Sequence, residues 1–204
     1  MKAPPGLASE LIERQKQLAD QVDTQDRLPS TIRWIAGVDA AFPKGGQITR
    51  ASAVLMRFPE MELVEQAVVD RRTTLPYIPG LLSFRELPAI LDALTRLSRT
   101  PDVVLCDGQG CAHPRRFGGA CHLGVETGLA TIGIGKSRLC GRHGMPGEAK
   151  GEQMPLMDGE EVIGAVLRTR RSVKPVYVSI GHRVNLERAV RVTLDSTSRF
   201  RLPE

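Results

Sequence analysis

The chain has 204 residues, a length that suits one domain with a single hydrophobic core. No segment approaches the ~18 consecutive apolar residues of a membrane span, which excludes an integral helical membrane protein. Lys and Arg number 28 against 23 acids, and this net charge of +5 fits either a nucleic-acid partner or a generically basic surface. The N-terminus lacks the apolar stretch of a signal peptide, so we expect a cytoplasmic protein, and we expect a monomer.

The first half of the chain is predicted to form one helix, three strands and an ordered loop. A short Pro-Glu step between the second and third strands is typical of a turn, so these strands should form an antiparallel meander. The loop holds two prolines and a glycine, which restrict and break the backbone. The predicted helix spans 7–23, the strands span 33–42, 49–58 and 62–71, and the loop spans 73–84.

A capping-box pattern predicts where the next helix begins. Ser83 precedes Glu86 by three residues, the spacing at which two side chains reciprocally satisfy free backbone amides. This helix should run to about residue 98, with Pro88 in its first turn, where proline is tolerated.

The second half alternates between strands and helices. The run at 101–107 is apolar without alternation, as expected of a central strand buried on both faces. Glycine, proline and charge predict a surface excursion at 136–160. The whole chain, 1–204, therefore reads as one mixed α/β domain. Its remaining predicted parts are strands at 131–135, 161–170 and 174–181, helices at 120–130 and 184–194, and a C-terminal tail at 196–204.

Three acids stand at the ends of predicted elements. Asp39 follows the apolar part of the first strand, Asp107 ends the central strand, and Glu86 lies in the first turn of a helix. Carboxylates are rarely buried unless they are paired or bound to a cation. Acids that converge from such positions suit Mg²⁺, which takes one or two carboxylates, waters and a substrate phosphate. Their joint placement predicts metal-dependent phosphodiester hydrolysis.

Each acid also has a structural explanation. Asp39 fits a strand-end residue that is paired with an arginine. Glu86 fits the capping partner of Ser83. Asp107 fits an Asx turn in the sequence DGQG. The residues taken one at a time leave these alternatives open.

The loop after the central strand is rich in glycine and positive charge. Arg115 and Arg116 lie in it, and arginine binds phosphate oxygens bidentately, so we expect both to hold phosphates. Gly108 and Gly110 are expected to let the backbone approach a base closely. Lys136, in the sequence GIGK, is a further phosphate candidate or a solvated lysine, since the spacing of a P-loop is absent.

The sequence PYIPG at 76–80 predicts a rigid apolar tip. Its prolines leave Tyr77 and Ile78 little conformational freedom to lose, which suits insertion into a base stack. The alternative is an ordinary turn that buries Tyr77.

His182 follows a predicted strand and is a candidate for orienting water, or a histidine packed beside the sheet.

The cysteines do not have the spacing of a zinc site. No C-x-x-C pair occurs, and adjacent Cys121 and His122 would be an awkward chelate. We expect the thiols to be reduced. The four cysteines are Cys106, Cys111, Cys121 and Cys140.

Several motifs in combination resemble the endonuclease V family of deaminated-base repair nucleases, over roughly residues 5–195. They are GVDAAF, PYIPGLLSFRE, DGQGCAHPRRFGGACHLGV, TIGIGKSRL and SIGHRVNL. The resemblance implies an RNase H-like fold, with a central mixed sheet that begins with three antiparallel strands. It implies hydrolysis of the second phosphodiester bond 3′ to inosine. The reaction would depend on Mg²⁺, with Mn²⁺ as a substitute. The substrate would be double- or single-stranded DNA, with RNA as a further candidate, and the products would carry 3′-hydroxyl and 5′-phosphate ends.

The resemblance also implies roles for individual residues. Asp39, Glu86 and Asp107 would bind the metal, and His182 would be the active-site histidine. Tyr77 would fill the gap left by an everted base. The residues implied to hold the lesion or the bound strand are Ile78, Pro79, Gly80, Leu82, Gly108, His113 and Lys136.

Three other functions compete with this one. Another RNase H-like nuclease would use the same acids on an undamaged hybrid or junction. A binding module without catalysis would bind nucleic acid and never cut it. A zinc-stabilised structural domain would contain metal when purified.

Overall fold

An eight-stranded mixed sheet with helices on both faces forms the centre of the molecule. The computed structural model describes residues 4–204. The elements in chain order are α1 (Leu7–Ala19), β1 (Trp34–Ala41), the helical turn α2 (Pro43–Gly46), β2 (Ile48–Arg57), β3 (Glu62–Arg72), α3 (Leu82–Leu94), β4 (Val103–Asp107), α4 (Gly119–Thr127), β5 (Thr131–Gly135), β6 (Gln153–Asp158), β7 (Glu161–Leu167), β8 (Val176–His182) and α5 (Leu186–Asp195).

The sheet combines an antiparallel meander with a parallel centre. Its strand order is β3-β2-β1-β4-β5-β8-β7-β6, in which β1, β4 and β5 are parallel and the remaining neighbours are antiparallel. The predicted meander of β1, β2 and β3 is confirmed. This is the RNase H-like arrangement that the resemblance implies.

The central strand β4 is covered on both sides, as its continuous apolar run predicts. Val104 packs in a core with α3 and α4, whereas Val103 packs in a core with α5 on the opposite face. Both side chains are fully buried. The parallel register sets Val38 of β1 beside Cys106 of β4, so the next residues along these two strands are neighbours at one edge of the sheet.

The expected capping box at the start of α3 is wrong. The helix begins at Leu82, its N-cap residue is Leu81, and no side chain caps it. The Ser83 hydroxyl instead hydrogen-bonds the Nδ1 atom of His122 at 3.0 Å. Pro88 consequently lies inside the helix rather than in its first turn. Glu86 is therefore free of the capping role, and the helix ends at Leu94, four residues earlier than expected.

Two C-terminal expectations also change. The excursion predicted at 136–160 contains strand β6, an edge strand in which only Leu156 is buried, so its apolar signal is weak. The last nine residues, 196–204, were expected to form a tail, but they contact the segment between β7 and β8. The hydroxyl of Thr169 donates to the carbonyl of Arg201 at 2.6 Å, and the Arg201 guanidinium donates to the carbonyl of Pro175 at 2.8 Å. No helix in the described part of the chain combines the length and apolar character that a membrane crossing requires.

Candidate active site

The three acids meet in one cleft, which we call the acid cleft. Asp39 lies near the end of β1, and Asp107 ends the neighbouring parallel strand β4. Glu86, on the second turn of α3, completes the lining of the same cleft, together with Gly108. The sheet edge and the helix thus bring together side chains that are far apart in the chain: Glu86 is about 21 residues before Asp107, and Asp39 is about 68 residues before it.

Negative charge in the acid cleft is only partly compensated. Burial, together with the charges of Asp39 and Asp107, raises the pKa of Glu86 to about 7. Burial and the charge of Asp107 likewise raise the pKa of Asp39. A carboxylate whose pKa rises is one whose charge is unfavourable in the folded protein. The cleft is therefore an environment that favours an added cation.

Lys136 supplies the nearest positive charge. It follows β5 directly, and its ammonium group donates a hydrogen bond to the Asp107 carboxylate. This bond raises the pKa of Lys136, so the side chain is cationic. The structure places Lys136 beside the acids, and its predicted contact with a phosphate stays a prediction.

The acid cleft offers carboxylate oxygens, the kind of ligand that Mg²⁺ prefers. Within residues 4–204, no three His, Cys, Asp or Glu side chains have the close spacing of a complete metal-ligand set. Mg²⁺ needs only one or two protein carboxylates, because waters and substrate phosphates complete its octahedron. Asp39 and Asp107 are neighbours with hard oxygen donors, and Lys136 compensates their charge only in part, so they fit that requirement.

The loop between β3 and α3, residues 73–81, is called the wedge loop. Its base is fixed by a buried hydrogen bond of 2.9 Å between the hydroxyls of Thr49 and Thr73. Tyr77 at its tip is 63% exposed. The predicted projection of Tyr77 is thus confirmed, and the alternative of a buried tyrosine is wrong. Pro79 is also exposed, whereas Ile78 is half-buried.

The loop between β4 and α4, residues 108–118, is called the glycine loop. Gly108 has φ +146°, and a Cβ atom there would meet no other atom within 4 Å, so its backbone borders open space. Gly110 is different, because a Cβ atom there would lie 1.9 Å from the carbonyl oxygen of Ile180. Its amide donates to the Ser179 hydroxyl at 2.9 Å. Gly110 therefore serves close packing on β8, and its expected approach to a base is wrong.

The two arginines predicted to hold phosphates both have partners inside the protein. Arg116 pairs with Asp158 at 2.8 Å and with Glu161 at 2.7 Å. Arg115 donates to the carbonyl of Gly80 at 2.8 Å. Both guanidinium groups thus bind oxygens that the chain itself supplies, and their contacts with phosphates stay a prediction.

His113 also faces inward. It is 4% exposed, and its Nδ1 atom accepts a hydrogen bond from the backbone amide of Arg115 at 3.1 Å. Burial, with a smaller effect of the Arg115 charge, lowers the pKa of His113 to about 4. The imidazole is therefore neutral near pH 7, and any contact with the bound strand stays a prediction.

His182 does not join the acids. It pairs with Thr131 at the start of β5, whereas Asp107 pairs with Ile134 near the end of that strand. The two side chains consequently lie toward opposite edges of the sheet. The Nδ1 atom of His182 accepts a hydrogen bond from the backbone amide of Asp23 at 3.1 Å. The predicted role of His182 in orienting the attacking water stays a prediction, and His182 lies apart from the acid cleft.

One buried polar residue was not predicted from the sequence. Gln15 is 1% exposed on α1 and contacts both the wedge loop and the glycine loop. A signal was present, because Leu11, Gln15 and Leu18 share the i, i+4, i+7 spacing of one helix face. A glutamine on an otherwise apolar face marks a buried amide that needs specific partners.

Comparisons with known proteins agree with this geometry. The family model described as Endonuclease V matches residues 16–204. An endonuclease V of Nostoc punctiforme is 48% identical over 200 residues, which cover 98% of this chain and 90% of that protein. A crystal structure of a Streptomyces avermitilis endonuclease V is 40% identical, has a TM-score of 0.90 and matches 98% of this chain and 88% of that one.

A more distant match was solved with nucleic acid. An endonuclease V of Ciona intestinalis, in complex with a DNA 23-mer containing an inosine followed by a ribo-adenosine, is 26% identical. Its TM-score is 0.87, and the match covers 98% of this chain and 92% of that one. The shared sequence, fold and length are those of a single nuclease family. This chain belongs to the endonuclease V family.

Proposed function

We propose that this protein is a DNA repair endonuclease that recognises deoxyinosine and hydrolyses the second phosphodiester bond 3′ to it. The observation that carries the proposal is the acid cleft: three carboxylates, whose negative charge Lys136 only partly compensates, border Gly108, whose backbone faces open space. The inosine-containing DNA bound by the Ciona intestinalis relative supports the choice of lesion.

In this proposal Asp39 and Asp107 hold Mg²⁺, with Mn²⁺ as a substitute. When bound there, the ion would polarise a phosphoryl oxygen and lower the pKa of a coordinated water. Glu86, the third carboxylate of the cleft, would bind the ion or a water molecule coordinated to it. Lys136, cationic and in contact with Asp107, restrains that carboxylate and adds positive charge near the scissile phosphate.

Recognition of the lesion is assigned to the wedge loop and to Gly108. An everted base leaves a gap in the duplex, and the exposed ring of Tyr77 is suited to fill it. Hypoxanthine differs from adenine by a carbonyl in place of an amine, and it pairs weakly, which lowers the cost of eversion. Gly108 gives an everted purine room that a side chain would occupy.

A labelled duplex with a single deoxyinosine tests the proposal. With Mg²⁺ the protein should cut once, at the second bond 3′ to the lesion, and leave 3′-hydroxyl and 5′-phosphate ends. EDTA should abolish cutting, and the matched undamaged duplex should stay intact. Equal cutting of both duplexes would favour another RNase H-like nuclease, and binding without cutting would favour a binding module.

Inosine-containing RNA is a second candidate substrate. The observation in its favour is the ribo-adenosine that follows the inosine in the DNA bound by the Ciona intestinalis relative. Comparing single-turnover rates on DNA, on RNA and on DNA with one ribonucleotide 3′ to inosine would rank them. Sedimentation of the active protein would test the expected monomer.

A further inference from the structure

A single buried side chain of α1 joins the two loops that border the proposed lesion pocket. The Gln15 amide nitrogen donates to the carbonyl of Gly80 in the wedge loop at 3.1 Å and to the carbonyl of Phe117 in the glycine loop at 2.8 Å. Its amide oxygen accepts a hydrogen bond from the Nε atom of Arg115. We call these contacts the Gln15 clamp.

The clamp converges on one carbonyl group. The oxygen of Gly80 also accepts from the Arg115 Nη2 atom at 2.8 Å, so side chains of α1 and of the glycine loop hold it together. Gly80 adopts φ +77°, and a Cβ atom there would lie 2.6 Å from that guanidinium nitrogen. A side chain at position 80 would be strained by the positive φ and would displace the guanidinium from its place beside the Gly80 carbonyl.

The other end of the clamp is equally fixed. Phe117 is fully buried and packs with Leu18 of α1 and Cys121 of α4. Its carbonyl therefore has little freedom to move, and the two carbonyls joined by the Gln15 nitrogen are held at a set separation. Gly80 lies three residues after Tyr77, so the separation also limits where the tip of the wedge loop points.

We propose that Gln15 is a positioning residue that determines selectivity for the everted base, because it fixes the wedge loop relative to the glycine loop. This inference rests on the proposed function. A binding site held rigidly in its bound geometry loses less entropy when the ligand arrives. Loss of the clamp should therefore weaken lesion binding, whereas the chemical step, carried by acids that contact neither Gln15 nor Arg115, should change little.

The test compares Gln15→Leu with Gln17→Leu. Leucine keeps much of the volume of glutamine and removes its hydrogen bonds, and Gln17 is an exposed residue of the same helix. We expect Gln15→Leu to weaken binding to an inosine duplex about 10-fold, as for an unsatisfied buried group, with little change for the undamaged duplex. The single-turnover rate at saturating protein should stay within about 3-fold of wild type. Gln17→Leu should match wild type in both.

A fluorescent 2-aminopurine placed beside the inosine gives an independent measure of base eversion, and the signal should fall for Gln15→Leu alone. If that variant fails to fold, Gln15→Glu replaces it, because the carboxylate keeps the acceptor for Arg115 but loses the donor to both carbonyls. Unchanged lesion affinity, or an equal loss of affinity and of saturating rate, would overturn the inference. A wild-type protein that does not cut inosine DNA would overturn the proposed function instead.

Discussion

The acid cleft and the Gln15 clamp differ in how far their polar groups are paired. In the acid cleft, three carboxylates face one another, and mutual repulsion together with burial raises the pKa of Glu86 to about 7. In the clamp, the nitrogen of a buried amide donates to residues 65 and 102 positions away, and its oxygen accepts from a residue 100 positions away. Charges in the first region repel one another, whereas the polar groups in the second are paired.

This difference separates the two tasks of a lesion-specific nuclease. Repulsion among carboxylates is relieved when a cation arrives, so the acid cleft is arranged for a state that includes a ligand. A loop that must discriminate one base from another gains from being ordered before the base arrives. Substitutions in the first region should therefore affect chemistry, and those in the second should affect recognition or folding.

The largest effect is expected from removing a carboxylate of the acid cleft. Asp39→Ala or Asp107→Ala should lower the Mg²⁺-dependent single-turnover rate on an inosine duplex by about 10³-fold or more, because metal-ion catalysis would be lost. Binding of the same duplex should survive, as a gel-shift titration would show. Glu160→Ala, at an exposed acid, is the control. Cutting at the wild-type rate in either aspartate variant would remove the assigned chemistry.

The next effect concerns folding and involves Gly110. Alanine there would place a Cβ atom 1.9 Å from the backbone oxygen of Ile180, so strands or loop must shift. We expect Gly110→Ala to lower the free energy of unfolding by about 3 kcal/mol in urea denaturation. Gly119→Ala is a matched control, because it lies in α4 where a Cβ atom meets nothing within 4 Å. That control should be neutral or stabilising, and equal loss in both variants would contradict the packing argument.

A smaller and pH-dependent effect is expected at Glu86. Its pKa is raised from 4.5 to about 7 on folding, so the folded protein binds this proton more tightly than the unfolded chain does. Stability therefore falls as the pH rises from 4.5 to 7, and the full penalty is present above 7. Glu86→Gln removes it and should raise the free energy of unfolding at pH 8 by at most about 3 kcal/mol.

The same comparison at pH 4 should show little difference between Glu86→Gln and wild type, because both carry a neutral side chain there. Denaturation at both pH values, without divalent ions, measures the change. A variant that gains equally at both pH values would show that charge is not the cause. The more stable variant should also cut more slowly, since the carboxylate that opposes folding is assigned to catalysis.

The sequence predicted those parts of the fold and site that depend on local pattern. The apolar run at 103–106 identified the central strand, and the meander followed from one short turn. Asp39 and Asp107 were predicted to converge from their places at the ends of two strands of one sheet, and the parallel pairing of β1 with β4 makes them neighbours. The convergence of Glu86 with them was predicted from its place at a helix start, and the alternative of a capping box with Ser83 is wrong.

Long-range partners were not predictable in the same way. Arg115 and Arg116 look like free cations in the sequence, because their partners lie 35 to 100 residues away. His182 ends a strand, as Asp107 does, but β8 runs antiparallel to β5, so His182 lies at the opposite end of the neighbouring strand. Strand direction depends on tertiary pairing, and a strand's own residues do not encode it.

The smallest effect is expected at the tip of the wedge loop. Tyr77 is 63% exposed, so Tyr77→Ala should leave the free energy of unfolding within about 0.5 kcal/mol of wild type. Loss of the ring that is assigned to fill the gap should lower the preference for an inosine duplex over an undamaged one by about 10-fold, within the range for base–aromatic stacking. Tyr77→Phe keeps the ring and should retain the preference, which competition binding would measure. If alanine and phenylalanine behave alike, the aromatic ring is not what fills the gap, and recognition would then belong to the backbone around Gly80 and Gly108.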